Sequence, residues 1–145
     1  MKLRFCALLS SGLLLTACGQ EQAANFDLTT ATARWAQPGK TWSESELKQL
    51  SAGELAYRRR CAACHSSAGT GQAGIGAPSL KGSATVRGEQ EKLIQLVLNG
   101  RRSMPAFKGQ DPVLLSNILT YIQNAWGNNS SDTVTHKAIS QASNR

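Results

Sequence analysis

Apolar positions recur at helical spacing in three stretches of the chain, and no stretch shows a convincing strand pattern. The last stretch is the best marked. Asp111 is a good N-cap, Pro112 suits the first helical position and Gly127 can end the helix. The pattern predicts a helix to Trp126 with an apolar stripe of Leu114, Leu115, Ile118, Leu119, Ile122 and Trp126.

A second helix is predicted from Glu89 to Asn99. Two carboxylates, Glu89 and Glu91, stand at its start, where the helix dipole favours negative charge. Gly100 suits a left-handed C-terminal cap. The apolar face consists of Leu93, Ile94, Leu96 and Val97.

The third helical stretch carries two start signals. Ser43 with Glu46, and Ser51 with Glu54, both have the spacing of a capping box. Either one helix runs from about residue 44 to 62, or two helices meet near Ser51. We favour two helices, because Gly53 is poor in a helix interior.

The segments between and around these helices are polar or rich in glycine. Residues 66–86 contain five glycines and predict a long loop, of a length that usually has a function such as wrapping a flat cofactor. Residues 128–145 predict a loose polar tail.

Residues 18–42 predict a tether, with Trp35 and Trp42 as docking points. If flexible, it reaches roughly 28 Å on average and at most about 80 Å. The domain between them, residues 43–127, is predicted to be all-α.

The first residues predict export. Lys2 and Arg4 precede an apolar run that is too short to span a membrane, so residues 1–17 are interpreted as a signal peptide. The end of this segment resembles the lipobox of bacterial lipoproteins, which implies cleavage before Cys18 and a diacylglyceryl group on its sulfur. Gly19 at the next position fits sorting to an outer membrane. The alternative is an ordinary signal peptide with Cys18 incidental.

Net charge narrows the range of partners. The formal charge is +7, and cleavage would remove Lys2 and Arg4, leaving +5. This moderate excess favours an acidic docking partner or a membrane surface. No basic stripe is interleaved with aromatic residues, so we discount nucleic-acid binding.

The run Cys61-Ala62-Ala63-Cys64-His65 is typical of c-type haem attachment. Two thiols three residues apart can each form a thioether to a haem vinyl group, and the adjacent His65 can supply a nitrogen ligand to the iron. A zinc site usually needs four Cys or His ligands, which this chain lacks. A thioredoxin-like redox pair would normally accompany a βαβ pattern, which is absent. Haem is therefore the favoured interpretation.

Residues 53–127 resemble a class I, single-haem cytochrome c domain. The resemblance rests on the Gly53, Tyr57 and Cys61–His65 spacing, on Ala77-Pro78-Ser79-Leu80, on Met104-Pro105 and on Ile118-x-x-Tyr121-Ile122. It implies three to four helices around one covalently bound haem c, with a long Gly-rich loop.

The same resemblance assigns roles to individual residues. Gly53 and Tyr57 would cross the last helix at Ile118 and Tyr121. The Pro78 carbonyl would accept a hydrogen bond from the second ring nitrogen of His65. Met104 would be the sixth iron ligand. His136 is the only spare imidazole and is kept as the alternative ligand.

The implied function is electron transfer without a small-molecule substrate, by a carrier anchored through Cys18 on the periplasmic side of a bacterial membrane. The alternatives are an electron-accepting subunit of a larger oxidoreductase, or a haem enzyme or gas sensor with an open iron position. Cationic residues on segments that flank the haem in this family either steer an acidic redox partner or only keep the domain soluble: Arg58, Arg59, Arg60, Lys81, Arg101, Arg102 and Lys108.

Overall fold

The computed structural model describes residues 26–145, which form seven α-helices, two short 3₁₀ turns and isolated bridges without a strand. The all-α fold class is confirmed. The predicted signal peptide, Cys18 and the first part of the tether lie outside the described residues. No helix within residues 26–145 is both long and apolar enough to cross a membrane. The helices are α1 (Leu28–Arg34), α2 (Glu44–Arg60), α3 (Ala62–His65), α4 (Ala84–Arg87), α5 (Gln90–Asn99), α6 (Pro112–Asn124) and α7 (His136–Ser143).

Helix α2 is continuous, so the expectation of two helices meeting near Ser51 is wrong. The capping box forms at the first signal: the Ser43 hydroxyl accepts from the Glu46 amide, and the Glu46 carboxylate accepts from the Ser43 amide. Ser51 instead donates to the Leu47 carbonyl, 2.9 Å away, within the helix. Tertiary packing overrides the low helix propensity of Gly53.

That packing is the crossing of α2 with α6. A Cβ atom at Gly53 would overlap the backbone carbonyl of Asn117 and lie 2.8 Å from Cβ of Tyr121. The fully buried Tyr57 follows one turn later, with its ring 5.2 Å from that of Tyr121. Ile118 is also buried at this interface. The glycine therefore lets the two backbones touch, as the resemblance implied.

Residues 28–42, assigned to a tether from the sequence, are packed on the domain. Helix α1 places Arg34 against Glu54 of α2 at 2.5 Å. Trp35 is buried with its ring 5.7 Å from Tyr121, edge to face. The indole N–H of Trp42 donates to the Trp35 carbonyl at 2.7 Å. Both tryptophans thus dock the segment, so residues 28–42 do not form a flexible tether.

The prediction of a loose tail for residues 128–145 is also wrong. Helix α7 packs on α5 and α6 and buries Ile139 and Ala142, and the preceding Val134 is completely buried. The Thr120 hydroxyl of α6 accepts from the Val134 amide at 2.8 Å. Three buried apolar side chains are enough to hold this polar segment on the domain, because buried polar groups of α6 form hydrogen bonds with its backbone.

Candidate haem site

The Cys61–His65 run begins where α2 ends. Cys61 closes α2, with its amide donating to the Tyr57 carbonyl, and the next residues form the single turn α3. The amide of His65 donates to the Cys61 carbonyl at 2.9 Å, so the run is helical. Cys61 is half-buried, Cys64 is exposed, and both thiols are free. Two thiols are therefore presented one helical turn apart.

These cysteines do not have the environment of a redox pair. Burial raises the pKa of the Cys61 thiol to about 11, and the neighbouring Cys64 adds to the effect. Redox-active C-x-x-C thiols have a lowered pKa instead. Among the described residues, no group of three or more His, Cys, Asp or Glu side chains is arranged to hold a metal ion such as zinc. The environment of Cys61 therefore does not favour a redox pair.

His65 is buried and held by one backbone carbonyl. Its Nδ1 lies 3.0 Å from the carbonyl oxygen of Pro78. Because a carbonyl can only accept, Nδ1 carries the proton, and the lone pair of Nε2 is available for an iron ion. Gly71 makes room for this contact: its φ is +73°, and a Cβ there would lie 2.5 Å from the Ala77 carbonyl oxygen.

A second contact fixes the chain just after His65. The Tyr57 hydroxyl donates to the Ser66 carbonyl at 2.6 Å. Burial raises the pKa of Tyr57 well above its usual range, so the hydroxyl keeps its proton at neutral pH. The amide of Gly71 in turn donates to the His65 carbonyl at 3.0 Å. The histidine is thus positioned from both the α2 side and the Gly-rich loop.

The predicted Gly-rich loop contains two short helical pieces, a 3₁₀ turn at Ala73–Ile75 and helix α4. The hydroxyl of Ser103, next to Met104, donates to the Ile75 carbonyl at 3.5 Å. This contact places the loop that carries Met104 beside the loop that carries Pro78.

Met104 is half-buried on the loop between α5 and α6. Its amide and carbonyl form a bridge with Arg101, with N–O distances of 3.0 and 3.1 Å. Gly100 does not adopt the expected left-handed cap: its φ of 70° is combined with an extended ψ of 177°. A Cβ at Gly100 would lie 2.6 Å from the Met104 carbonyl oxygen, so glycine is required for the loop to fold back.

His136 is not brought to the site. It is exposed at the first position of α7 and lines a surface groove with Lys48 of α2 and Val113 of α6. Lys48 and Cys61 are thirteen residues apart along α2 and its cap, or about 20 Å at the rise of an α-helix. His136 therefore lies far from the Cys61–His65 run.

Sequence reasoning missed one structural support of this site. The side chain of Asn128 binds the segment that follows Pro78, through Leu80 and Gly82. A lone asparagine in a polar stretch carries no sequence signal for such a role.

The residues present fit a covalently bound haem. The chain provides two free thiols at C-x-x-C spacing, an imidazole whose Nδ1 is occupied, and a thioether on a neighbouring loop. Fold and site together define a class I c-type cytochrome domain, a class of electron-transfer proteins that carry haem c.

The comparisons agree with this class. Residues 48–122 match the sequence profile of the family described as cytochrome C oxidase, cbb3-type, subunit III, and the chain belongs to this family of c-type cytochromes. The chain is also 45% identical over 62 residues to cytochrome c6 of Leptolyngbya boryana; the alignment covers 41% of this chain and 71% of that protein.

Proposed function

We propose that this protein is an exported, lipid-anchored, single-haem electron carrier whose iron is ligated by His65 and Met104. The observation that carries the proposal is the 3.0 Å contact between His65 Nδ1 and the Pro78 carbonyl, which leaves Nε2 available. The bound haem supplies the chemistry, because its iron alternates between the ferric and ferrous states. Cys61 and Cys64 hold the haem covalently.

The role of Met104 is to close the second axial position and to set the potential. A methionine sulfur opposite histidine raises the reduction potential relative to a second histidine. The fold-back at Gly100 and the bridge to Arg101 hold the Met104 backbone. Pro105 restricts Met104 to extended conformations. A haem iron held by His65 and Met104 would take both of its protein ligands from this chain, and it would transfer electrons rather than bind small ligands.

The distribution of ion pairs supports docking to an acidic redox partner. Among the described residues, six basic side chains are paired with carboxylates. Only one of these six, Arg58, belongs to the seven cationic residues that are expected to flank the haem. The other six flanking cations are exposed and form no ion pair with a described carboxylate: Arg59, Arg60, Lys81, Arg101, Arg102 and Lys108. Unpaired positive charge on the segments next to the haem motif and the Met104 loop would steer an acidic surface.

The proposed anchor is a diacylglyceryl group on Cys18, on the periplasmic side of a bacterial membrane, with Gly19 favouring the outer one. Because α1 and Trp35 pack on the domain, the span between Cys18 and the domain is only the eight steps to Phe26. That span reaches at most about 28 Å. The haem domain is therefore confined near the membrane surface rather than swinging over about 80 Å.

The alternative function is an electron-accepting subunit of a larger oxidoreductase. The matching family is described as subunit III of a cbb3-type oxidase, and this description is the observation that favours it. Mild detergent extraction followed by size separation distinguishes the two. A free carrier elutes as a lone small protein, and a subunit elutes with its complex.

The ligand assignment is tested by the spectrum of the ferric holoprotein. We expect the near-infrared charge-transfer band of His/Met haem, and resistance of the reduced protein to carbon monoxide. Met104→Ala should abolish the band and admit carbon monoxide while the haem stays attached. His136→Ala, the matched control, should leave the spectrum unchanged. A spectrum that responds to His136→Ala and not to Met104→Ala contradicts the proposal.

The anchor is tested by Cys18→Ala. This variant should appear as a soluble holoprotein or as unprocessed precursor, while the wild type sediments with membranes. Lasting attachment requires more than one acyl chain, and loss of the modified cysteine removes them all. Full recovery of the variant in processed form, without residues 1–17, with washed membranes at high salt would contradict lipid anchoring through Cys18.

A further inference from the structure

Asn128 is a buried amide that joins three separate parts of the chain. It follows the 3₁₀ turn Ala125–Gly127 and is 6% exposed. Its Nδ2 donates to the Leu80 carbonyl at 3.1 Å and to the Ile122 carbonyl at 2.7 Å. Its Oδ1 accepts from the Gly82 amide at 2.8 Å. The end of α6 is thereby tied to the loop that follows Pro78.

The opposite side of the same loop segment is held by Gly69. The Gly69 carbonyl accepts from the amides of Leu80 and Lys81 at 2.8 and 3.0 Å, and from the Ser79 hydroxyl at 3.1 Å. A Cβ at Gly69 would collide with the ring of Trp126, so Gly69 is itself pressed against the turn that precedes Asn128. Residues 79–82 are thus fixed between Gly69 and Asn128.

Pro78, directly before this clamped segment, provides the carbonyl that receives the His65 Nδ1–H. A hydrogen bond from Nδ1 to a fixed acceptor makes the imidazole a stronger donor to the metal, which favours the ferric state. The position of the Pro78 carbonyl therefore depends on how firmly residues 79–82 are held.

We propose that Asn128 is a positioning residue for the His65 ligand, acting through the 79–82 segment on the Pro78 carbonyl and so on the reduction potential. The inference rests on the proposed ligation by His65. Residue 128 lies outside the region that matches the family profile. The segment after α6 would therefore tune the iron of this chain from outside the matched region.

The experiment compares Asn128→Ala with Asn124→Ala in the holoprotein. Asn124 is also buried and ties the C-terminal segment to α6 through Ser131 and Asp132, and it accepts from Gln37, but it forms no hydrogen bond with residues 66–82. Both variants should lower the thermal midpoint. Only Asn128→Ala should raise the reduction potential, and it should accelerate solvent exchange of the His65 Nδ1–H by about tenfold or more, because three side-chain hydrogen bonds are lost, two of them to the 79–82 segment.

Equal potentials and equal Nδ1–H exchange rates in the two variants would overturn the proposal. If Asn128→Ala yields no holoprotein, native-state amide exchange of the wild type decides. The amides of Leu80, Lys81 and Gly82 should then open together with that of Ser130 as denaturant is added, and independent opening would contradict the coupling.

Failure of the underlying ligation by His65 has a different signature. In that case the His65 ring protons of the ferric wild type would lack the large contact shift and strong line broadening of an iron ligand, whatever the two variants do.

Discussion

Replacement of Gly53 by alanine tests the crossing of α2 and α6 with a single added methyl group. The new Cβ would overlap the Asn117 carbonyl and lie 2.8 Å from Tyr121 Cβ, so the backbones must separate. Alanine in place of glycine gains about 1 kcal/mol of helix propensity. Overpacking costs about 1–3 kcal/mol, and the upper part of that range applies because the atom met is backbone rather than a flexible side chain.

We therefore expect a net loss of about 1–2 kcal/mol in the free energy of unfolding, which corresponds to a fall of about 3–12 °C in Tm for a domain of this size. The assay is thermal and denaturant unfolding of the holoprotein. Gly53→Val adds a further branch and should lose more.

The control is Ala52→Gly at the exposed neighbouring position of α2, which should cost about 0.5–1 kcal/mol through propensity alone. If Gly53→Ala instead raises Tm by about as much as Ala52→Gly lowers it, only propensity is acting. The close contact with Asn117 would then be refuted.

Two further predictions concern charge. Replacing Arg101 and Arg102 by glutamine should flatten the salt dependence of electron transfer to an acidic partner, because exposed charges are screened over about 10 Å at 0.1 M salt. The control is Lys92→Gln, which should leave the salt dependence unchanged, because Lys92 is paired with Glu89. A wild-type rate that does not depend on salt would instead mean that the cations only keep the domain soluble. Burial, with a smaller effect of the Glu54 carboxylate, raises the pKa of Tyr121 from 10.0 to about 12. The unfolded chain then loses this proton first, so the stability that Tyr121 contributes is complete below pH 10 and is lost as the pH rises towards 12. An alkaline titration followed by tyrosinate absorbance tests the raised pKa of Tyr121. Ionisation of Tyr121 near pH 10 in the folded protein would contradict this prediction.

The helices that could be predicted from the sequence are those whose signals are local. Asp111 and Pro112 begin α6 where their capping preferences place them, and Ser43 and Glu46 form the expected box. The haem-attachment chemistry of Cys61–His65 could be predicted equally well, because the residues of this motif are contiguous in the sequence. Helix propensity alone misjudged Gly53, because this residue contacts Asn117 of a distant helix and no local propensity reports such a contact; the family resemblance did imply the crossing.

The two terminal segments were misjudged for a related physical reason. Each buries only a few apolar groups, such as Trp35 in one and Ile139 in the other, and is otherwise held by buried polar contacts. Asn124 bonds to both segments, to Gln37 in the first and to Ser131 and Asp132 in the second, and Asn128 ties the start of the second segment to the end of α6. Composition counts such residues as polar and predicts exposure, although each is almost completely buried and hydrogen-bonded.

The surrounding chain holds His65 more firmly than it holds Met104. The segment that follows the Pro78 carbonyl, residues 79–82, is held by hydrogen bonds to Gly69 and Asn128, and Tyr57 fixes the residue after His65. Among residues 26–145, the backbone of the Met104 loop bonds only to itself and to the end of α5: the amides of Phe107 and Lys108 donate to the carbonyls of Val97 and Leu98, 3.1 and 3.0 Å away.

Across the site, the contact of this loop with the Gly-rich loop is the 3.5 Å hydrogen bond from Ser103 to Ile75. Segments with few long-range contacts open at lower free energy than the core. The Met104 side should therefore open first, so the near-infrared band should disappear at lower denaturant concentration than the helical signal, with a smaller denaturant dependence because less surface is exposed. Coincident loss of both signals would mean that the Met104 loop is as firmly held as the histidine, and that its stability comes from the haem contact rather than from the chain.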